Sequence, residues 1–167
     1  MKEVRDLVSC GTEETICRIV ETYSAMLLRL ASTRLSAAAD AEDVVQEVFL
    51  YLVEHRVPFR DAEHEKAWLI RTTLHRASNF RKRAEARNLP LEDAAASAAE
   101  APPDEKRMLL DAVRALPEKY AAVVYLHYYE GYSMKEIAKA LGVPAATVGT
   151  WLARGRKTLR RLLEEDG

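Results

Sequence analysis

An all-α chain of two small helical domains joined by a flexible linker, the second domain containing a helix-turn-helix, is predicted by three observations. Apolar residues recur at spacings of three and four along most of the sequence, and β-branched residues nowhere alternate with polar ones for the length of a strand. The stretch NLPLEDAAASAAEAPPDE, residues 88–105, holds three prolines and five acids with no apolar period, the signature of a linker. Beyond it, a run of capping, turn and basic residues has the order of a helix-turn-helix. The boundaries drawn on charge are 1–88, 89–105 and 106–167. Acidic and basic side chains balance in the first segment, five acids stand without a base in the second, and eleven bases face seven acids in the third. The net charge of −1 therefore hides a sorted chain.

Length and composition narrow the function classes. At 167 residues the chain suits one average domain or two small ones, which excludes a large multidomain enzyme. Hydrophobic residues at 49% and charged ones at 31% supply enough apolar material for a core or two. No window approaches 18 uninterrupted apolar residues, and the opening MKEVRDLVSC lacks a signal-peptide core, so the expectations are no membrane insertion and a cytoplasmic location. Cys10 and Cys17 form no CxxC pair and are expected to be thiols in a reducing compartment.

In chain order, a first helix is expected from Thr12, its stripe Ile16, Ile19, Val20, Tyr23, Met26, Leu27 and Leu30 turned to the core. A second is expected from Asp40 as N-cap, burying Val44, Val45, Val48, Phe49 and Leu52. On its other side Asp43, Gln46, Glu47, Leu50 and Glu54 form an acidic, partly apolar strip that suits a basic partner surface as well as solvent. Pro58 breaks the pattern. After the loop Phe59, Arg60, Asp61, a third helix is expected from Glu63 to Ala86. Its inner side carries Ile70, Thr73, Leu74 and Ala77, with Phe80 at the edge, and its outer side Trp68, Arg71, His75, Arg76, Asn79, Lys82 and Arg83. A bulky ring among cations and amides suits single-stranded nucleic acid, because the ring can stack on an unpaired base while the cations neutralise phosphates. A solvated basic face with a packed Trp68 is the competing reading.

Past the linker, Met108, Leu109, Val113 and Leu116 predict one helix, and Pro117 opens another through Tyr120, Val123, Val124 and His127, ended by Gly131. Ser133 and Glu136 form a capping box, with Tyr132 and Ile137 placed as a hydrophobic staple. That helix ends at Leu141 before Gly142, and Pro144 opens the last one, which runs to Glu164. Val148, Leu152, Gly155, Leu159 and Leu162 face inward, while Thr147, Thr150, Arg154, Lys157 and Arg161 face out. Short polar residues followed by cations are what a recognition helix presents to base edges and then phosphates. Four or five such phosphate contacts give log affinity a slope of about −4 against log salt, a modest and salt-sensitive grip.

With these segments in hand, the sequence resembles the bacterial sigma factors of RNA polymerase, in the compact extracytoplasmic function (ECF) group that has only regions 2 and 4. The resemblance rests on AEDVVQEVFLYL (41–52), AWLIRTTLHRASNFRKR (67–83), LPEKYAAVVYLHYYEGYSMKEIAKALGV (116–143) and TVGTWLARGRKTL (147–159), in order and with the linker between. It implies that Asp43, Gln46, Glu47 and Leu50 dock on the β′ coiled coil of core RNA polymerase, and that the β flap is a further contact. Phe59, Arg60, Asp61, Trp68, Arg71, His75, Arg76, Asn79, Lys82 and Arg83 would melt and bind the minus-10 element. Thr147, Thr150, Arg154, Lys157 and Arg161 would bind the minus-35 element. An anti-sigma factor is the implied regulator, and no catalysis, cofactor or metal is expected. His75 and Asn79 stand where Asn and Asp are usual in the family, and Gly149 and Trp151 replace more polar residues, so promoter preference does not carry over.

Two other readings start from the same residues. An autonomous helix-turn-helix regulator would bind DNA as a dimer through 106–167, but it leaves the acidic strip unexplained. A metal-dependent nucleic-acid enzyme would need His55, His64, His75 and the cysteines to act together, yet none has HExxH or CxxC spacing.

Overall fold

The computed structural model describes residues 13–87 and 104–165, and among these every regular element is helical. Three helices form the N-terminal group: α1 (Glu13–Ser32), α2 (Ala38–His55) and α3 (Ala62–Ala86). The C-terminal group has α4 (Asp104–Arg114), α5 (Glu118–Val124) continued by a π-helical turn (Tyr125–Tyr129), then α6 (Met134–Leu141) and α7 (Ala145–Glu165). Cys10 and linker residues 89–103 lie outside the described residues, and the last two linker residues, Asp104 and Glu105, open α4. Cys17 is an exposed free thiol.

The predicted stripes account for the N-terminal core. Ile19, Leu27 and Leu30 from α1, Val44, Val48 and Leu52 from α2, and Leu69, Ile70 and Ala77 from α3 are buried together. One charged pair joins them: Arg18 reaches both carboxylate oxygens of the buried Glu65, at 2.9 and 2.7 Å. A bidentate guanidinium satisfies a carboxylate that burial alone would penalise.

Helix ends depart from expectation in three places. Asp40 does not cap α2; the cap is Ala37, with extended backbone and no side-chain bond, and Asp40 sits in the first turn. The alanines at 37–39 are strong helix formers and carry the helix upstream, where Asp40 still meets its positive end. The other end of α2 turns at Arg56, a non-glycine residue with φ of 46°, just before Pro58. Pro117 and Pro144 stand one residue outside α5 and α7, not at their first positions. Their carbonyls accept from the first turns, Pro117 from Tyr120 and Ala121 and Pro144 from Thr147 and Val148.

The expected helix through His127 widens instead into the π-turn, which is closed by a bond from the Glu130 amide to the Tyr125 carbonyl, and the chain beyond it is tied back by the Tyr132 amide on the Leu126 carbonyl. Tyr125 is buried there and its hydroxyl donates to Glu130, while Tyr129 stacks on it at 5.2 Å. Burial, and then the Glu130 carboxylate, push the Tyr125 hydroxyl well above the usual phenol range. Gly131, at φ of 76°, ends the segment as the sequence predicts.

The two groups pack on each other mainly through α3 and α6. Lys66 pairs with Glu136 at 3.2 Å, Lys139 with Glu63 at 3.1 Å and Arg81 with Glu118 at 3.2 Å. Arg29 donates to the Tyr125 hydroxyl at 3.1 Å and to Glu130 at 3.0 Å, and Arg114 donates to the Ser32 carbonyl at 2.9 Å.

Candidate nucleic-acid interface

The outer side of α3 opens on a cleft of about 760 Å³ lined by Glu47, Tyr51, Trp68, Arg71, Thr72, His75, Arg76, Asn79, Lys82 and Arg83. Seven of these are the outward residues that the helical period places on one side. The helix is set by Asp61, whose carboxylate caps it by accepting from the His64 amide at 2.7 Å. That bond is the main cause holding the Asp61 carboxyl below its ordinary value. His75 and Asn79 are exposed and bond to each other at 3.2 Å, one turn apart.

Trp68 is half-buried, its ring 6.1 Å from that of Tyr51 and 5.6 Å from that of Phe59. It thus both packs on neighbours and lines the cleft. Phe59 is only 7% exposed and belongs to the core, so the loop presents Arg60 and Asp61 outward while Phe59 supports Trp68 from beneath. Arg71 is engaged elsewhere: its guanidinium donates to the Ala140 carbonyl at 2.9 Å and the Lys139 carbonyl at 3.1 Å, at the end of α6. The three histidines of the metal reading serve separate contacts. His55 stacks on Tyr51 at 4.0 Å, His64 meets the edge of Phe59 at 5.6 Å, and His75 bonds Asn79.

On α2, Asp43, Gln46 and Leu50 are exposed, Leu50 by 58%, while the half-buried Glu47 reaches Arg76 of α3 at 3.4 Å. Val53, also exposed, extends the apolar part of this ridge. The acidic ridge and the basic cleft are therefore neighbours that share one ion pair. Sequence spacing missed Tyr51 and Thr72 as cleft residues. The period of α2 placed Tyr51 on neither the core stripe nor the acidic strip, and only the packing of α2 against α3 brings it to Trp68.

The helix-turn-helix is built as the local signals specify. Ser133 accepts from the Glu136 amide at 3.1 Å and Glu136 accepts from the Ser133 amide at 2.8 Å, closing the capping box. Gly142, at φ of 68°, turns the chain and its amide bonds the Ala138 carbonyl. Val148, Leu152 and Gly155 anchor α7. Thr150, Arg154, Lys157 and Arg161 are exposed, with Thr147 half-buried at the entry. The Thr150 hydroxyl donates to its own helix at Ala146, 3.1 Å away.

The arrangement matches known proteins over both groups. The family model for sigma-70 region 2 matches residues 19–87 and that for sigma-70 region 4 matches residues 106–159. The ECF RNA polymerase sigma factor SigL of Mycobacterium tuberculosis is 31% identical over 157 residues, covering 89% of each chain. SigX of Bacillus subtilis, also an ECF RNA polymerase sigma factor, is 30% identical across 91% of this chain and 85% of its own. Among solved structures, the sigma factor RpoE in complex with the anti-sigma factor NepR from Bartonella quintana has a similar fold, with a TM-score of 0.74 and 22% identity over 93% of this chain and all of that one. CnrH in complex with the cytosolic domain of CnrY gives 0.69 and 22%, over 99% and 96%. The chain is therefore a member of the sigma-70 family of RNA polymerase sigma factors, in its extracytoplasmic function group.

Proposed function

We propose that the protein is the dissociable promoter-specificity subunit of RNA polymerase, with no catalysis and no cofactor of its own. The observation that carries this is the juxtaposition, in one short chain, of an acidic ridge on α2, a cation-rimmed aromatic cleft on α3 and a helix-turn-helix ending in α7. Asp43, Gln46, Glu47 and Leu50 dock on the β′ coiled coil, where acidic groups complement a basic surface and Leu50 loses its exposed area. The C-terminal group meets the β flap.

Promoter opening follows from differential binding. Unstacking costs a few kcal/mol per step, and each captured base recovers about 1–3 kcal/mol by stacking on an aromatic ring. Trp68 supplies the ring; Arg76, Lys82 and Arg83 hold the strand; His75 and Asn79 face the bases of the minus-10 element. Arg60 and Asp61 flank the cleft entrance. Thr147, Thr150, Arg154, Lys157 and Arg161 engage the minus-35 element. A chain carried to DNA by a far larger enzyme does not need strong affinity of its own, which fits its near-neutral charge. An anti-sigma factor that covers the ridge or the reading faces would silence it, and the cytoplasm is where these partners meet.

Run-off transcription with core polymerase and a genomic fragment library tests this. Glu47→Lys is expected to lose core binding, whereas Arg154→Ala keeps core binding and weakens promoter use. Equal transcription by wild type and both variants would overturn the assignment of both surfaces.

A further inference from the structure

Tyr51 belongs to neither surface by sequence, yet it touches both. It sits one turn beyond Glu47 on α2 and is 37% exposed at the wall of the α3 cleft. Its ring is nearly parallel to that of His55 at 4.0 Å and to that of Trp68 at 6.1 Å, with interplanar angles of 18° and 26°. The Arg76 guanidinium lies 5.1 Å from the ring centroid while reaching the Glu47 carboxylate at 3.4 Å. His55, Trp68 and Arg76 all lie against the Tyr51 ring, so one side chain joins the cation and the large aromatic of the cleft.

A planar, delocalised cation is well suited to lie over an aromatic face, and the contact limits the rotamers that a long side chain otherwise samples. Trp68 gains the same restriction from an aromatic neighbour close to parallel. Groups already held in their binding geometry lose less freedom when a ligand arrives. We propose that Tyr51 is a positioning residue of the single-strand cleft: its ring holds Arg76 and Trp68 in place for an unpaired strand. This rests on the reading of the cleft as the minus-10 site. The Glu47–Arg76 pair alone does not supply the effect, since both partners are partly exposed and such pairs are weakly held.

The test titrates the protein, reconstituted with core polymerase, against a forked promoter DNA. Its non-template strand is single across the minus-10 element, and the promoter is one recovered by the run-off assay. Tyr51→Leu is expected to weaken fork binding about tenfold, as loss of a cation–π contact together with an aromatic pair implies. Tyr51→Phe keeps the ring and restores affinity to within about twofold. Arg76→Lys keeps the charge without the planar stack, and because Arg76 also holds the strand it is read in a double-mutant cycle. Tyr51→Leu with Arg76→Lys is expected to lose clearly less than the two single losses combined. Tyr51→Met serves in the same cycle should the leucine variant fold poorly, and additive losses would overturn the positioning role. Core affinity is the same for wild type and the Tyr51 variants. Fork binding by Tyr51→Leu equal to wild type, a phenylalanine variant as weak as the leucine one, or a parallel loss of core affinity would each overturn the positioning role. Unchanged fork binding in both Trp68→Ala and Arg76→Ala would instead sink the reading of the cleft, independently of Tyr51.

Discussion

At the scale of the residue, Gly155 shows how tightly the C-terminal group is closed. A Cβ there would sit 2.6 Å from a methyl of the buried Val124 and 3.4 Å from the Tyr120 Cβ. Val124 is short and β-branched, so it cannot swing away. Gly155→Ala is expected to cost about 1–2 kcal/mol in chemical denaturation, overpacking outweighing the better helix propensity of alanine. Val124→Ala in the same chain should recover much of that loss, and additive costs would contradict the contact. The period of α7 put Gly155 on the inward side without showing why it is a glycine, because close approach is a property of two helices and not of one. Phe59 has a similar history. Its place in the loop suggested a reading residue, and only the fold shows it tucked under Trp68.

At the scale of the element, α6 is the segment whose limits were most legible, because box, turn glycine and apolar spacing agree within a dozen residues. Its Glu136 carboxyl is held below its ordinary 4.5, first by the Ser133 amide and then by Lys66. A depressed carboxyl adds stability above its unfolded value and loses it as pH falls through the folded one. Glu136→Gln keeps the cap and removes the charge. Thermal melting should therefore show the variant less stable than wild type near neutrality, with the gap closing from pH 4.5 downward. A gap that does not narrow as the pH falls below 4.5 would contradict this cause. Ser133→Ala removes the reciprocal bond and is expected to cost about 1 kcal/mol at any of these pH values.

The element least legible was the π-turn at Tyr125–Tyr129, since one extra residue per turn leaves the apolar pattern of YLHYYEG almost unchanged. Its role becomes visible only with Arg29 of α1 in place, donating to both the Tyr125 hydroxyl and Glu130.

At the scale of the whole molecule, helix content, order and the two-group division were legible in the sequence, whereas the contact between the groups was not. Its ion pairs and side-chain hydrogen bonds are made by residues whose exposed alternatives look the same in a sequence. It also bears on function. Arg71 lines the α3 cleft and at the same time bonds the end of α6, so the cleft adjoins the first helix of the helix-turn-helix in this arrangement. Elements at minus 10 and minus 35 are 25 base pairs apart, about 85 Å along B-form DNA at 3.4 Å per pair. A compact chain of this length has a radius of gyration of about 15 Å, so on the proposed reading of α3 and α7 the groups must separate to engage both elements. A segment of the 88–103 length spans roughly 55 Å when extended, and the reach of the domains themselves adds to it.

The central claim, one chain delivering two separate DNA-reading surfaces to polymerase, is tested most directly by site-specific photo-crosslinking in the reconstituted polymerase–promoter complex. Crosslinkers placed at Asn79 and at Arg154 should mark the non-template strand and the upstream duplex at sites about 25 base pairs apart. Crosslinks from both positions to one site, or from neither in the presence of core polymerase, would contradict it.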